Sequence, residues 1–198
     1  WTYTGSASTG ATDPGLDIRH NGTLALAGVS LGQGAFSESD TGGIGAGGLV
    51  TLSGDVTTDQ HDVTFNSPVA LVGAITVQSG ASDGDILFAS TIDGPGSLTS
   101  NAGTSSISMQ TVGGVTPLGT GGFTQTGGGR LTLNGNIFTA GDPITIAGPI
   151  TATTALTLST TASAAAGADI TLNGAVSTGA HNFTLQAGAG HVSVGAAV

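Results

Sequence analysis

Few residues in this chain can do chemistry. Its 198 residues hold 12 acidic side chains, 4 histidines, 2 basic side chains and no cysteine. The densest group is Asp59-Gln60-His61-Asp62. Carboxylates beside an imidazole are the makings of an acid–base or metal site. They are equally the makings of a polar corner between a strand ending at Thr57 and one beginning at Val63. Asp83-Gly84-Asp85 places two carboxylates in a glycine turn. Calcium takes its oxygens from such flexible loops, so it is the ion expected here, with Asp83 and Asp85 as candidate ligands. Asp-Gly turn chemistry accounts for Asp83 and Asp93 as well. The glycine-rich nonapeptide of calcium-binding solenoids is absent: Gly42-Gly43-Ile44-Gly45-Ala46-Gly47-Gly48 has the glycines without the aspartate. Among His20, His61, His181 and His191, no pair has zinc-ligand spacing with a third partner. There is no Gly-x-Ser-x-Gly elbow and no phosphate loop. The residues therefore point to no catalytic site and to no cofactor beyond the calcium candidate.

Composition narrows the partners. Charged residues make up 7% of the chain and the formal net charge is −10, where a soluble domain carries roughly 25% charged residues. Arg19 and Arg130 are the only cations, so a phosphate backbone finds no cluster to replace its counterions, and nucleic acid is excluded as a partner. An anionic membrane surface is disfavoured for the same reason. No apolar run is long enough to cross a bilayer as a helix, so no transmembrane segment is expected. Trp1-Thr2-Tyr3-Thr4 shows no charged and apolar leader, so any export signal is expected to have been removed or to lie elsewhere in a longer protein. With so few ions, the surface must be covered by Thr, Ser, Asn, Gln and Gly. Thr and Gly richness with no lysine favours an extracellular or cell-surface location.

What must position these residues is a repeat. A short unit of apolar, small polar and apolar residues recurs, as in Val50-Thr51-Leu52, Val63-Thr64-Phe65, Ile75-Thr76-Val77, Ile86-Leu87-Phe88 and Ile107-Ser108-Met109. It returns in Leu131-Thr132-Leu133, Ile144-Thr145-Ile146, Leu156-Thr157-Leu158, Ile170-Thr171-Leu172, Phe183-Thr184-Leu185 and Val192-Ser193-Val194. Period-two alternation makes each unit a short strand with an apolar inner face and a hydroxyl outside. Stacked hydroxyls of this kind suggest outward threonine ladders, although ice-binding faces use paired threonines on each strand. Above the short unit lies a longer one. Residues 49–77 align without a gap to 130–158, pairing Val50-Thr51-Leu52-Ser53-Gly54 with Leu131-Thr132-Leu133-Asn134-Gly135. The organisation expected is an N-terminal section over 1–48, a first block over 49–109, a Gly-rich connecting coil over 110–129 and a second block over 130–198.

Such a repeat builds an all-β parallel β-helix, a β-solenoid in which each coil buries its apolar positions against the coils above and below. Two short units per coil give about 23 residues a turn and roughly eight or nine coils, a rod of about 40 Å at the spacing of hydrogen-bonded strands. The competing architecture is a tandem of β-sandwiches. It calls for longer strands and more aromatic side chains than the 4% present.

The phrases Gly47-Gly48-Leu49-Val50-Thr51-Leu52-Ser53-Gly54-Asp55-Val56-Thr57-Thr58 and Asp169-Ile170-Thr171-Leu172-Asn173-Gly174-Ala175-Val176 resemble repeats of filamentous-haemagglutinin-type exoproteins and other large bacterial surface adhesins. The resemblance covers most of residues 45–195. It implies a right-handed parallel β-helix, export across a bacterial envelope, and work as a stalk or adhesive fibre. It carries over no binding residues. The function expected is therefore a non-enzymatic structural or adhesive segment. The alternatives are a filament subunit that stacks end to end on its own copies, and a carbohydrate-binding or carbohydrate-active β-helix. The second of these lacks aromatic platforms, since Trp1 and Tyr3 sit together at one end.

Overall fold

A computed structural model describes residues 2–6, 15–41 and 48–195. Asp13, most of the glycine run Gly42–Gly48 and the terminal Ala196-Ala197-Val198 lie outside them. The described chain is a β-solenoid of about 7 turns. Every pairing between its strands is parallel, which removes the sandwich alternative, because sandwiches are built from antiparallel hairpins.

Each coil contributes strands to three faces. The first face is an eight-stranded sheet running from Leu16–His20 through Phe36–Asp40, Val63–Phe65, Ile86–Phe88, Ile107–Met109, Leu131–Leu133 and Ile150–Ala152 to Val176–Ser177. The second face includes Leu49–Leu52, Val69–Leu71, Ile92–Asp93, Ile137–Phe138, Leu156–Ser159 and Phe183–Gln186. Its ladder passes through Val112, which bridges Ile92 and Ile137. The third face includes Val56–Thr57, Ala74–Gln78, Ser97–Asn101, Phe123–Thr126, Ile144–Ile146, Ile170–Leu172 and Val192–Val194. Strand Thr23–Ser30 rounds one corner unbroken. It pairs with Leu49–Leu52 at its start and with Val56–Thr57 at its end.

Coil length matches the expectation, and strand number does not. Successive register partners on the first face, from Leu16 through Phe36, Val63, Ile86, Ile107, Leu131 and Ile150 to Val176, are separated by 20, 27, 23, 21, 24, 19 and 26 residues. The coil is near 23 residues as expected, and these seven intervals make about 7 turns, close to the roughly eight or nine expected. There are also three strands a turn rather than two. The additional strands are pieces such as Val56–Thr57 and Ile92–Asp93, too short to display alternation.

The long repeat is out of phase with the coil. It sets Leu49–Leu52, on the second face, against residues 130–133 on the first, and Val63–Phe65, on the first, against Ile144–Ile146 on the third. Every strand it relates moves back by one face. The three faces therefore present interchangeable apolar patterns to one continuous core.

That core is a set of stacked columns. On the second face Val50, Val69, Ile92, Val112, Ile137 and Leu158 follow one another in register, each no more than 2% exposed. On the first face Phe65 and Phe88 are register partners whose rings stack at 5.2 Å, with Phe36 tilted against Phe65 at 5.1 Å. No coil can hide these side chains alone, so stability comes from neighbouring coils.

Candidate functional site

Backbone N–H groups near the corners that lack a ladder partner find one in exposed or half-buried acidic side chains. Asp55 Oδ1 accepts the Thr76 N–H at 2.7 Å, Asp62 Oδ1 that of Asp85 at 2.9 Å, and Asp93 Oδ1 those of Val115 and Thr116 at 2.7 and 3.1 Å. Asp142 Oδ1 accepts the Gly121 N–H at 2.9 Å and Asp169 Oδ1 that of His191 at 2.8 Å. In each pair the donor is 21 to 23 residues away, one coil along the stack. The amide of Asn136 does the same for Thr157 at 2.8 Å. These carboxylates are staples between coils.

The calcium candidates separate on this account. Asp85 Oδ1 accepts both the N–H and the hydroxyl of Ser106, at 2.8 and 2.9 Å, and so belongs to the staples. It lines a depression on the first face with Asp62, Thr64, Leu87 and Ser108. Asp83 lines a different, exposed depression with Gln33, Asp59, Gln60 and His61. Of the densest sequence group, Asp59 and His61 thus share a depression, while Asp62 turns away to the Asp85 N–H. Among the described residues no three metal-type side chains are grouped to hold an ion. The outward threonines divide between faces. Thr76, Thr99, Thr124, Thr145 and Thr171 form one ladder on the third face, whereas Thr64 and Thr132 lie on the first and Thr51 and Thr157 on the second.

The most unusual chemistry is inside. Alternation along Leu16–His20 and Phe36–Asp40 turns His20, Glu38 and Asp40 inward, and all three are at most 6% exposed. His20 Nε2 lies 2.6 Å from Glu38 Oε1, and His20 Nδ1 lies 2.7 Å from the Gly22 carbonyl oxygen. That carbonyl can only accept, so Nδ1 carries a hydrogen, and the Nε2–Oε1 contact holds one more. Glu38 also receives the Ser67 hydroxyl at 2.7 Å and the N–H groups of Asn66 and Ser67 at 3.2 and 3.1 Å. The Asn66 amide returns a bond to the Glu38 carbonyl at 2.8 Å, and Asp40 Oδ2 accepts the Gly48 N–H at 2.8 Å. One buried carboxylate therefore ties three successive coils together. The order of groups is serine, carboxylate, imidazole, so the hydroxyl touches the acid and not the base that would activate it as a nucleophile.

The cluster was legible in the alternation Phe36-Ser37-Glu38-Ser39-Asp40, which sets Glu38 and Asp40 on the same side as Phe36. The scattering of acids along the chain hid it. Two further polar residues enter the core on the third face, where Val77, Ser100, Gln125 and Ile146 are consecutive register partners. Gln125 accepts the Ala147 and Gly148 N–H groups at 3.0 and 2.8 Å and donates to the Thr126 carbonyl at 2.8 Å. The Ser100 hydroxyl is fully buried without a partner.

The fold defines a β-solenoid repeat protein. Comparison with protein-family models, with curated proteins and with solved structures finds no match in any of the three.

Proposed function

We propose that this chain is a non-enzymatic structural rod, a stalk or adhesive segment of an exported bacterial surface protein or extracellular fibre. The observation that carries the reading is the use of its carboxylates. Seven of them (Glu38, Asp55, Asp62, Asp85, Asp93, Asp142 and Asp169) accept backbone N–H groups from an adjacent coil. Side chains that elsewhere perform catalysis are here spent on holding coil to coil. The apolar column of the second face, unbroken from Val50 to Leu158, adds to this, because a continuous stack transmits load along its axis. Export and adhesion come from the resemblance to filamentous-haemagglutinin-type repeats, whose phrases coincide with coils of this stack.

The test removes one coil. Ile86 and Ile107 are register partners 21 residues apart, so deleting residues 86–106 in frame joins equivalent points of the stack. The shortened protein should fold, stay on the cell surface, support attachment, and be shorter by about 4.8 Å, one strand spacing. Attachment lost with the fold intact would place a specific site in that coil and defeat the reading, as would antibody labelling confined to the cell interior. Concentration-dependent fibres in negative-stain microscopy would favour the filament subunit. Polysaccharide cleavage abolished by Asp59→Ala would favour the carbohydrate-active alternative.

A further inference from the structure

The chain has seven asparagines, and two of them begin the triplet Asn-x-Thr: Asn21-Gly22-Thr23 and Asn182-Phe183-Thr184. That triplet is the acceptor pattern for N-linked sugar. The structure divides the asparagines along the same line. The amides of Asn66, Asn101, Asn134 and Asn136 are all bonded within the stack, and none of the four is followed two residues later by serine or threonine. Asn21 and Asn182 are exposed, and among the described residues neither side chain makes a hydrogen bond. Thr23 and Thr184 are likewise exposed with unbonded hydroxyls. Asn173 is the remaining free amide, and it is followed by Gly174-Ala175.

Position adds a second correspondence. Asn21 follows strand Leu16–His20 and precedes Thr23–Ser30; Asn182 follows Val176–Ser177 and precedes Phe183–Gln186. Both stand at the corner between the first and second faces, one in the first coil of that face and one beyond its last strand. They lie on one edge of the rod, seven strand steps or about 34 Å apart. Among the described residues, a Cβ built on Gly22 meets nothing within 4 Å.

We propose that Asn21 and Asn182 are N-glycosylation sites. The donor is a sugar whose anomeric carbon is esterified to a diphosphate, carried by a nucleotide or a lipid. The side-chain Nδ2–C1 bond forms as the C1–O bond to phosphate breaks, the diphosphate leaves with the electron pair, and Nδ2 gives a proton to a base of the transferring enzyme. The threonine hydroxyl two residues on is the group the enzyme reads. Sugars held at a corner leave all three faces and the core undisturbed. This goes beyond the stalk reading and rests on its export component alone, because the triplet is an acceptor in a secreted protein; surface labelling of the protein with bare peptides would defeat this proposal and leave that reading standing.

The test is glycopeptide mass mapping of the protein purified from the cells that make it. Peptides containing Asn21 and Asn182 should carry sugar, and those containing the other five asparagines should be bare. Thr23→Val and Thr184→Val should each abolish modification at their own site, whereas Thr23→Ser and Thr184→Ser should keep it. Single sugars added one at a time identify a nucleotide-borne donor; one preassembled block identifies a lipid-borne donor. Bare peptides at both sites, or sugar that survives the valine variants, would overturn the proposal. Circular dichroism of each variant separates loss of sugar from loss of fold.

Discussion

Glu38 and His20 meet through a 2.6 Å contact at a depth where the register neighbours of Glu38 are Ile18 and Phe65. A hydrogen-bonded acid–imidazole pair set in an apolar column is costly to break from one side, because the surviving polar partner is left without its counterpart. Removing one member of such a pair costs about 3–5 kcal/mol, whereas replacing both by apolar groups can be neutral. His20→Ala and Glu38→Leu should each destabilise the N-terminal coils by roughly that amount. The His20→Leu/Glu38→Leu double variant should lose much less than the two singles together. Hydrogen exchange at Phe36–Asp40 and Val63–Phe65 reads the effect locally. Additive losses would show that the two residues act separately.

The same cluster has a consequence for register. Because the 81-residue offset between blocks relates strands on different faces, apolar patterning alone does not say which strand stacks on which. A buried polar contact does, since a slip of one position would leave unpaired polar groups facing hydrocarbon. Glu38→Leu should therefore broaden the native state as well as weaken it. The measurement is amide spectra of the first three coils, where the variant should show doubled or exchange-broadened signals while coils beyond Ile107 keep single ones. Single sharp signals throughout would mean that the apolar columns set register unaided.

Glycine at a corner makes a sharper case. A Cβ built on Gly54 would sit 1.7 Å from the Ala27 carbonyl oxygen, inside the backbone of the coil below. The backbone must move for any side chain to fit, so Gly54→Ala should cost several kcal/mol, in the range reserved for buried steric conflict. Gly73, where a Cβ meets nothing within 4 Å, is the control. Gly73→Ala should stay within about 0.5 kcal/mol of the parent. Urea unfolding of the two variants checks the contrast, and equal effects would mean that the coils are not stacked as closely as described.

How far the sequence reached follows from these residues. Period-two alternation of Val50-Thr51-Leu52 and its relatives fixes strands and inward faces, because a short parallel strand buried on one side has no other pattern. The solenoid and its coil length of about 23 residues were legible for that reason. Strands as short as Ile92–Asp93 were not, since two residues contain no period. Nor was phase: Val50 and Leu131 look equivalent in sequence, yet lie on different faces. The staples were hidden for a further reason. Asp62 and Asp85 read as loop carboxylates, and only the stacking of coils sets each against an N–H one coil away.

Ser100 carries the one buried side-chain polar atom left unpaired among the described residues. Its hydroxyl is buried between Val77 and Gln125 with no partner. An unpaired buried polar group costs about 1–3 kcal/mol. Ser100→Ala removes the hydroxyl with little change in volume and should raise stability by about 1 kcal/mol. Thermal unfolding followed by circular dichroism is the measurement. A loss of stability would reveal a hydrogen bond to the hydroxyl that the fold does not otherwise display.

Asp85 decides between a staple and an ion ligand. Its Oδ1 already receives two donors from Ser106, and Asp83 faces another depression. As a staple, Asp85 stabilises the stack whether or not calcium is present. Asp85→Ala should then lower stability by about 1 kcal/mol, the net worth of one such hydrogen bond, and Asp85→Asn should recover most of it because an amide oxygen also accepts. Asp83→Ala should change little. The parent's unfolding midpoint should be the same in calcium and in chelator. A ligand behaves in the opposite way: both alanine variants would abolish a calcium-dependent rise in midpoint, and asparagine at position 85 would rescue it poorly. The amide variant separates the two, since it keeps the acceptor for the Ser106 N–H and gives up the charge that a divalent ion needs.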